Sequence, residues 1–321
     1  MPVSPPFAAI ILATQAQALP ALPAPGVPAA PALPPPPPEL VLEGDNLVTV
    51  LVNGRPLRLE VTGEAFGPPV LNPDVAAALG LMVANRRGWR FGPVVVEGYS
   101  GAAAVDFGAG AGLMALSWSD RPASTLADGV IGIHHLPHAR VTFVLGPPAP
   151  GERVQRLPLK RAGGSNARLG TEAVVGKKRL MMVFVTERGP NLVTAPTANF
   201  IATHQEGGFE AGSDGVAVLD FGVERPTRMM RIAEPVVVGD LALDRFAVRV
   251  EDYGEPRRVG EIGENDPRFD RDSILVSRRK GRGKPDLLTR IGRDQIAHCS
   301  QLTYDFEKTE IRLACGTSPE G

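Results

Sequence analysis

Two acidic residues stand in loops of similar make-up, and they are the first candidates for chemistry in this chain. Glu64 lies in Val61-Thr62-Gly63-Glu64-Ala65-Phe66-Gly67-Pro68, and Glu187 lies in Val185-Thr186-Glu187-Arg188-Gly189-Pro190. Two carboxyl groups brought face to face share a proton, because like charges so close cannot both ionise. One of them can then act as a base on water while the other, protonated, acts as an acid. The distance to the following glycine differs between the loops, from Glu64 to Gly67 and from Glu187 to Gly189. The two groups are therefore not expected to meet symmetrically, and exposed loop positions are the plainer reading.

Other constellations offer less. His134, His135 and His138 cluster after Gly132, but a zinc site wants ligands on one face and a fourth from elsewhere. A loop with exposed imidazoles is expected, and no metal is assigned. Gly108-Ala109-Gly110-Ala111-Gly112 follows a strand with no helix after it, so phosphate-cradling geometry is missing. Asp106-Phe107-Gly108 and Asp220-Phe221-Gly222 repeat a triplet that turn formation explains, since the other kinase motifs are absent. No cofactor is expected.

The elements that must position the two loops also repeat. Each loop follows an apolar, strand-like run, Leu57–Val61 or Leu180–Val185. Each is followed by a short apolar piece and a proline that opens a helix: Val70, Leu71 and Pro73, then Leu192, Val193 and Pro196. Asn72 and Thr194 are the expected N-caps. A later Ile-Gly appears in both halves, at Ile131-Gly132 and Ile291-Gly292. Asn53-Gly54 between apolar runs predicts a tight hairpin, because both residues tolerate positive φ. Further strands are expected at Trp89–Phe91, Val94–Glu97, Ala102–Phe107, Leu113–Trp118, Val141–Leu145, Val154–Leu159, Val216–Phe221, Arg228–Ile232, Pro235–Val238, Phe246–Glu251 and Ile274–Ser277. The periodicity is short throughout, so the class is all-β with a few short helices, in two similar lobes around a central cleft.

The 321 residues are 43% hydrophobic and carry a net charge of −1. That length allows about two domains, and the charge gives no support for nucleic acid as a partner. Residues 1–18 read as a signal peptide: the apolar run Phe7–Ala13 precedes Ala16-Gln17-Ala18, a small-x-small cleavage pattern. The run is shorter than the ~20 residues of a membrane-spanning helix. Residues 19–42 form a Pro/Ala-rich linker ending in a polyproline stretch. The lobes cover 43–150 and 171–316, joined by a connection over 151–170. Within the second, Gly254–Asp272 is a polar loop. The two cysteines, Cys299 and Cys315, flank a hairpin over Leu302–Phe306 and Thr309–Ala314, with a register that places them opposite each other. A disulfide there requires an oxidising compartment, so a periplasmic or secreted location is expected.

These residues resemble one lobe of a bacterial retropepsin-like aspartic peptidase. The likeness begins at Val52-Asn53-Gly54-Arg55-Pro56-Leu57-Arg58-Leu59 and continues through the Thr-Gly loop, Leu71, the Ala-rich helix and Gly80-Leu81. Val130-Ile131-Gly132 is similar to the family's apolar-apolar-Gly that supports the catalytic loop. Arg290-Ile291-Gly292 matches it with Arg290 in place of the first apolar residue. The resemblance implies two acid-protease-like lobes, with Gly132 and Gly292 supporting the loops. It also implies one Asp per lobe at the start of Asp-Thr/Ser-Gly. Here Val61 precedes Thr62-Gly63 and Val185 precedes Thr186, and valine moves no proton. The resemblance therefore implies an inactive cleft that holds an extended peptide or protein segment. Trp89, Phe91 and Tyr99 would form its flap. The alternative is an acid endopeptidase using Glu64 and Glu187.

Overall fold

The computed structural model describes residues 34–35, 37–64, 67–162, 168–250 and 288–317. The segment read as a signal peptide, most of the linker, the 254–272 loop and the Ile274–Ser277 strand lie outside the described residues. All described residues belong to one unit, Ala32–Gly321. The structure is all-β, with two α-helices among the described residues.

A seven-stranded sheet holds the first half. It contains β2 (Leu47–Val52), β3 (Arg55–Thr62), β4 (Val70–Leu71), β5 (Asn85–Phe91), β6 (Val94–Asp106), β7 (Gly112–Ser119) and β8 (Gly129–Gly132), in the order β2-β3-β8-β4-β7-β6-β5. Asn53 and Gly54 turn β2 into β3 with φ of 50° and 75°, as the Asn-Gly pair predicts. An eight-stranded sheet holds the second half. It contains β11 (Lys160–Ala162), β12 (Arg168–Val175), β13 (Lys178–Phe184), β14 (Leu192–Thr194), β15 (Gly207–Val218), β16 (Glu224–Val238), β17 (Leu241–Arg249) and β18 (Leu288–Ile291). Their order is β11-β12-β13-β18-β14-β17-β16-β15.

The two sheets share one pairing diagram. In the first, β3 runs parallel to β8, β8 antiparallel to β4, and β4 parallel to β7. In the second, β13 runs parallel to β18, β18 antiparallel to β14, and β14 parallel to β17. Helix α1 (Pro73–Ala78) follows β4, and α2 (Ala195–Gln205) follows β14. Thr194 caps α2, its hydroxyl accepting from the Thr197 amide at 3.4 Å.

A third sheet joins segments far apart in sequence. Its strands β1 (Glu39–Leu42), β9 (Arg140–Val144), β19 (Cys299–Asp305), β20 (Glu310–Cys315) and β10 (Arg153–Pro158) lie in the order β1-β9-β19-β20-β10. Cys299 and Cys315 are cross-strand partners and form a disulfide. A register irregularity between Cys299 and Gln301 brings them opposite.

Several expectations change. Val141–Leu145, expected as a strand of the 43–150 lobe, does not join the first sheet, because β9 pairs with β1 and β19 instead. Glu39–Leu42 is a strand rather than the end of a linker, because Leu42 is buried and the segment adds to the edge of β9. The two short strands expected over Val94–Phe107 are the single long strand β6, and those over Arg228–Val238 are the single strand β16. Asn72 makes no side-chain cap for α1. Its carboxamide is engaged elsewhere: Oδ1 accepts from the Ala123 and Ser124 amides, and Nδ2 donates to the Ser124 and Ala127 carbonyls.

Candidate functional site

The parallel registers fix how the two loops correspond. Thr62 pairs with Gly132 and Phe184 with Ile291, which puts Val185 level with Gly292. Two residues further along each chain stand Glu64 and Glu187. Measured against the Ile-Gly strands, the acids occupy the same place, although their distances to the next glycine differ. Val61 and Val185, which a match on Thr-Gly and Val-Thr aligns with each other, are offset by one residue in this register. Both are buried in apolar packing.

Glycine lets the loops come close to neighbouring backbone. A Cβ on Gly63 would lie 2.8 Å from the Tyr304 hydroxyl and 2.9 Å from the Phe184 carbonyl oxygen. Gly292 touches the Gly189 and Pro190 carbonyls too closely for any side chain. The amide of Gly292 donates to Asn191 Oδ1 at 3.0 Å, and the Asp294 amide donates to the Gly189 carbonyl at 2.9 Å. The 187–190 loop is thereby held from below.

Glu64 is buried, 5% exposed. Its two oxygens are taken by two guanidinium groups from the other half of the chain. Arg188 Nη1 donates to Oε2 at 2.7 Å, and Arg290 Nε donates to Oε1. Arg188 also donates through Nη2 to Asp220 Oδ1 at 2.6 Å. Burial alone would raise the pKa of Glu64. The charges of Arg290 and Arg188, with a smaller share from Arg249, outweigh it and hold the carboxyl below the ordinary range.

Glu187 has a different environment. Thr62 Oγ1 donates to its Oε1 at 2.8 Å, and Thr186 Oγ1 to its Oε2 at 3.3 Å. The residue itself is exposed, yet protein crowded around the carboxyl, followed by the charge of Glu64, pushes its pKa up. Solvent on the open side tempers the first of these effects. The two carboxyls do not bond to each other. Tyr304 is fully buried below them, its hydroxyl unpartnered, and its ionisation is pushed up by burial and then by Glu187.

Above this cluster the β5–β6 hairpin closes on the second sheet. The rings of Trp89 and Phe221 lie 4.7 Å apart, and those of Phe91 and Phe221 6.2 Å apart. Phe221 has φ of 60°, a left-handed conformation rare for an aromatic residue. It is held there between the hairpin rings and the Asp220–Arg188 pair. A cavity of about 50 Å³ remains, lined by Thr62, Glu64, Val70, Trp89, Ala123, Val130, Asp220 and Phe221.

Sequence reasoning found Thr62, Gly63, Glu64, Glu187, Trp89 and Phe91, and the structure brings them together. Glu64 is not the exposed loop residue of the plainer reading. Tyr99 stands apart, against Trp118 at 6.3 Å and 40% exposed, because it alternates with the inward residues of β6. The histidines are not exposed imidazoles. His138 is buried with Nδ1 2.7 Å from the Pro37 carbonyl, and His135 Nε2 lies 2.7 Å from that of Gly67. Burial, then the neighbouring His135, lowers the pKa of His134 to about 4. The sequence reading missed Arg188, Asp220, Phe221 and the role of Arg290. One signal was available: Arg290 breaks an apolar pattern where Ile131's strand has Val130, and a cation buried in a strand needs a carboxylate.

Neither a protein-family model nor a curated protein matches this chain. Among the described residues, no helix is long and apolar enough to cross a membrane.

Proposed function

We propose that this chain is a non-catalytic, aspartic-peptidase-like protein of the exported type, whose cleft holds an extended peptide segment without hydrolysing it. One observation carries the reading. Both oxygens of the buried acid, Glu64, are occupied by guanidinium groups. A carboxylate held ionised between two cations, with its pKa lowered, is a poor base toward water.

The repeated pairing diagram supports two matching halves with the loops between them. The disulfide supports a location outside the reducing cytoplasm. The β5–β6 hairpin supports peptide binding, since Trp89 and Phe91 offer apolar contact and the strand edge offers backbone partners. Trp89 must leave Phe221 for a ligand to enter beneath the hairpin.

A second reading draws on the equivalent placement of Glu64 and Glu187 and their opposite pKa shifts. Two acids whose environments push their pKa values apart, one down and one up, are the arrangement an acid peptidase uses. Incubation with unfolded protein substrate between pH 3 and pH 7, read by mass spectrometry, separates the two. No new termini are expected. Cleavage that disappears in Glu187→Gln, with the fold retained, would establish the peptidase instead.

A further inference from the structure

We propose that the cavity between β5 and the eight-stranded sheet binds acidic peptide segments in extended form. This rests on the peptide-holding reading and names the ligand class. The cavity is about 170 Å³, with Arg87, Trp89 and Arg90 on one side and Thr194, Arg249 and Arg290 on the other.

Its charge is one-sided. Asp220 is the one carboxylate among the lining residues, and its Oδ1 is engaged by Arg188. Arg290 already holds Glu64, and Arg168 and Arg249 have partners of their own. Arg87 and Arg90 differ. Arg87 donates to a neutral hydroxyl, Ser117 Oγ, at 3.0 Å. Among the described residues, no carboxylate pairs with either guanidinium. Two cations at the mouth of a cavity favour a ligand that brings carboxylates, and guanidinium meets carboxylate through paired hydrogen bonds.

The strand edge specifies the extended form. Among the described residues, β5 is the outermost strand of its sheet and pairs only with β6, so its other row of backbone groups can accept an added strand. Arg87, Trp89 and Phe91 alternate with Arg86, Gly88 and Arg90 along it, the first set more buried than the second. An added strand would therefore find a cation on each face. The strand edge offers main-chain hydrogen bonds at the spacing of an extended polypeptide, which favours peptide over nucleic acid as the occupant.

The test uses the whole chain and fluorescence anisotropy. The probes are a labelled peptide alternating Ala and Asp, its Ala/Asn counterpart, and a short single-stranded DNA. The Asp peptide is expected to bind at least about tenfold more tightly than the Asn peptide, and to weaken as salt is raised. Arg90→Gln, at an exposed position, is expected to cost most of that preference, and Arg87→Gln part of it, with circular dichroism unchanged. Equal binding of the Asp and Asn peptides would overturn the acidic preference while leaving the peptide reading in place. Binding of neither would remove both. DNA binding as tight as that of the Asp peptide, or an Arg90→Gln protein with the preference intact, would also overturn the proposal.

Discussion

Glu64 and Arg290 are 226 positions apart in the chain, and one is the buried counter-ion of the other. Glu64 sits just beyond β3 of the first sheet, and Arg290 lies on β18 of the second. The pair therefore ties together the two halves whose loops approach at Gly63. A buried ion pair contributes little net stability over a well-packed apolar pair, but breaking it on one side is costly.

Glu64→Gln should accordingly destabilise the fold by about 3–5 kcal/mol, because Arg188 and Arg290 would keep their charges without the carboxylate. Arg290→Met alone should cost a similar amount. Glu64→Gln with Arg290→Met should recover much of the loss. Urea denaturation of the wild type, the two single variants and the double gives the cycle, and independent, additive losses would show that the pair is not coupled.

The two acids should give stability opposite pH dependences. The folded-state pKa of Glu64 is depressed. Its contribution is therefore present above the ordinary Glu pKa, and disappears as pH falls through the lower folded value. The folded-state pKa of Glu187 is raised. Its contribution is complete below the ordinary Glu pKa and is lost as pH rises through the raised one. Urea midpoints from pH 3 to pH 7 should thus rise less steeply with pH in Glu64→Gln. In Glu187→Gln they should no longer fall above the ordinary Glu pKa.

At Gly63 a methyl group would press on the Tyr304 hydroxyl and the Phe184 carbonyl. Gly63→Ala should cost about 1–3 kcal/mol through overpacking. Tyr304→Phe removes an unpartnered buried hydroxyl and should be neutral or stabilising. In the Tyr304→Phe background Gly63→Ala should cost less, since one of its two close contacts is gone. Thermal melts of the four proteins provide the check.

Much of this was legible in the sequence where the signal was local. The Asn53-Gly54 turn, the cap of α2 by Thr194 and the Cys299–Cys315 pairing each depend on residues close together, and turn or cap chemistry names them. The repeated Ile-Gly also reported a true correspondence, since Ile131 and Ile291 lie on matching strands, β8 and β18. What could not be read was long-range ionic pairing. Nothing near Glu64 in sequence announces Arg188 or Arg290, and Arg290 looked like a lapse in an apolar run. Asp220-Phe221-Gly222 likewise read as an ordinary turn. Its part in the site depends on a hairpin about 130 residues earlier packing against it. The third sheet was hidden for the same reason, because its strands look like the neighbours they follow.

Phe221→Ala should release the hairpin. Trp89 would lose the ring 4.7 Å away, and aromatic pairs contribute about 0.5–1.5 kcal/mol beyond their buried area. A red shift of tryptophan emission and faster amide exchange across β5 and β6 are expected. Unchanged exchange in the hairpin would show that other contacts hold it.

Reduction of the disulfide should cost about 2–4 kcal/mol, as for bridges closing loops of this size. Denaturation with and without a reductant, or of a Cys299→Ser, Cys315→Ser protein, measures it. The loss should fall on the third sheet, where exchange of the β19 and β20 amides should rise most.

The third sheet also sets when the molecule can be completed during synthesis. Thr142 on β9 bonds to Thr303 on β19, 161 positions later. A ribosome adding 5–20 residues per second needs roughly 8–32 s to make the intervening chain. Until then β9 and β10 have no β19–β20 hairpin between them, and Tyr304 is not yet there to fill the space beneath Gly63. The nascent chain must wait, partly assembled, for its β19–β20 hairpin.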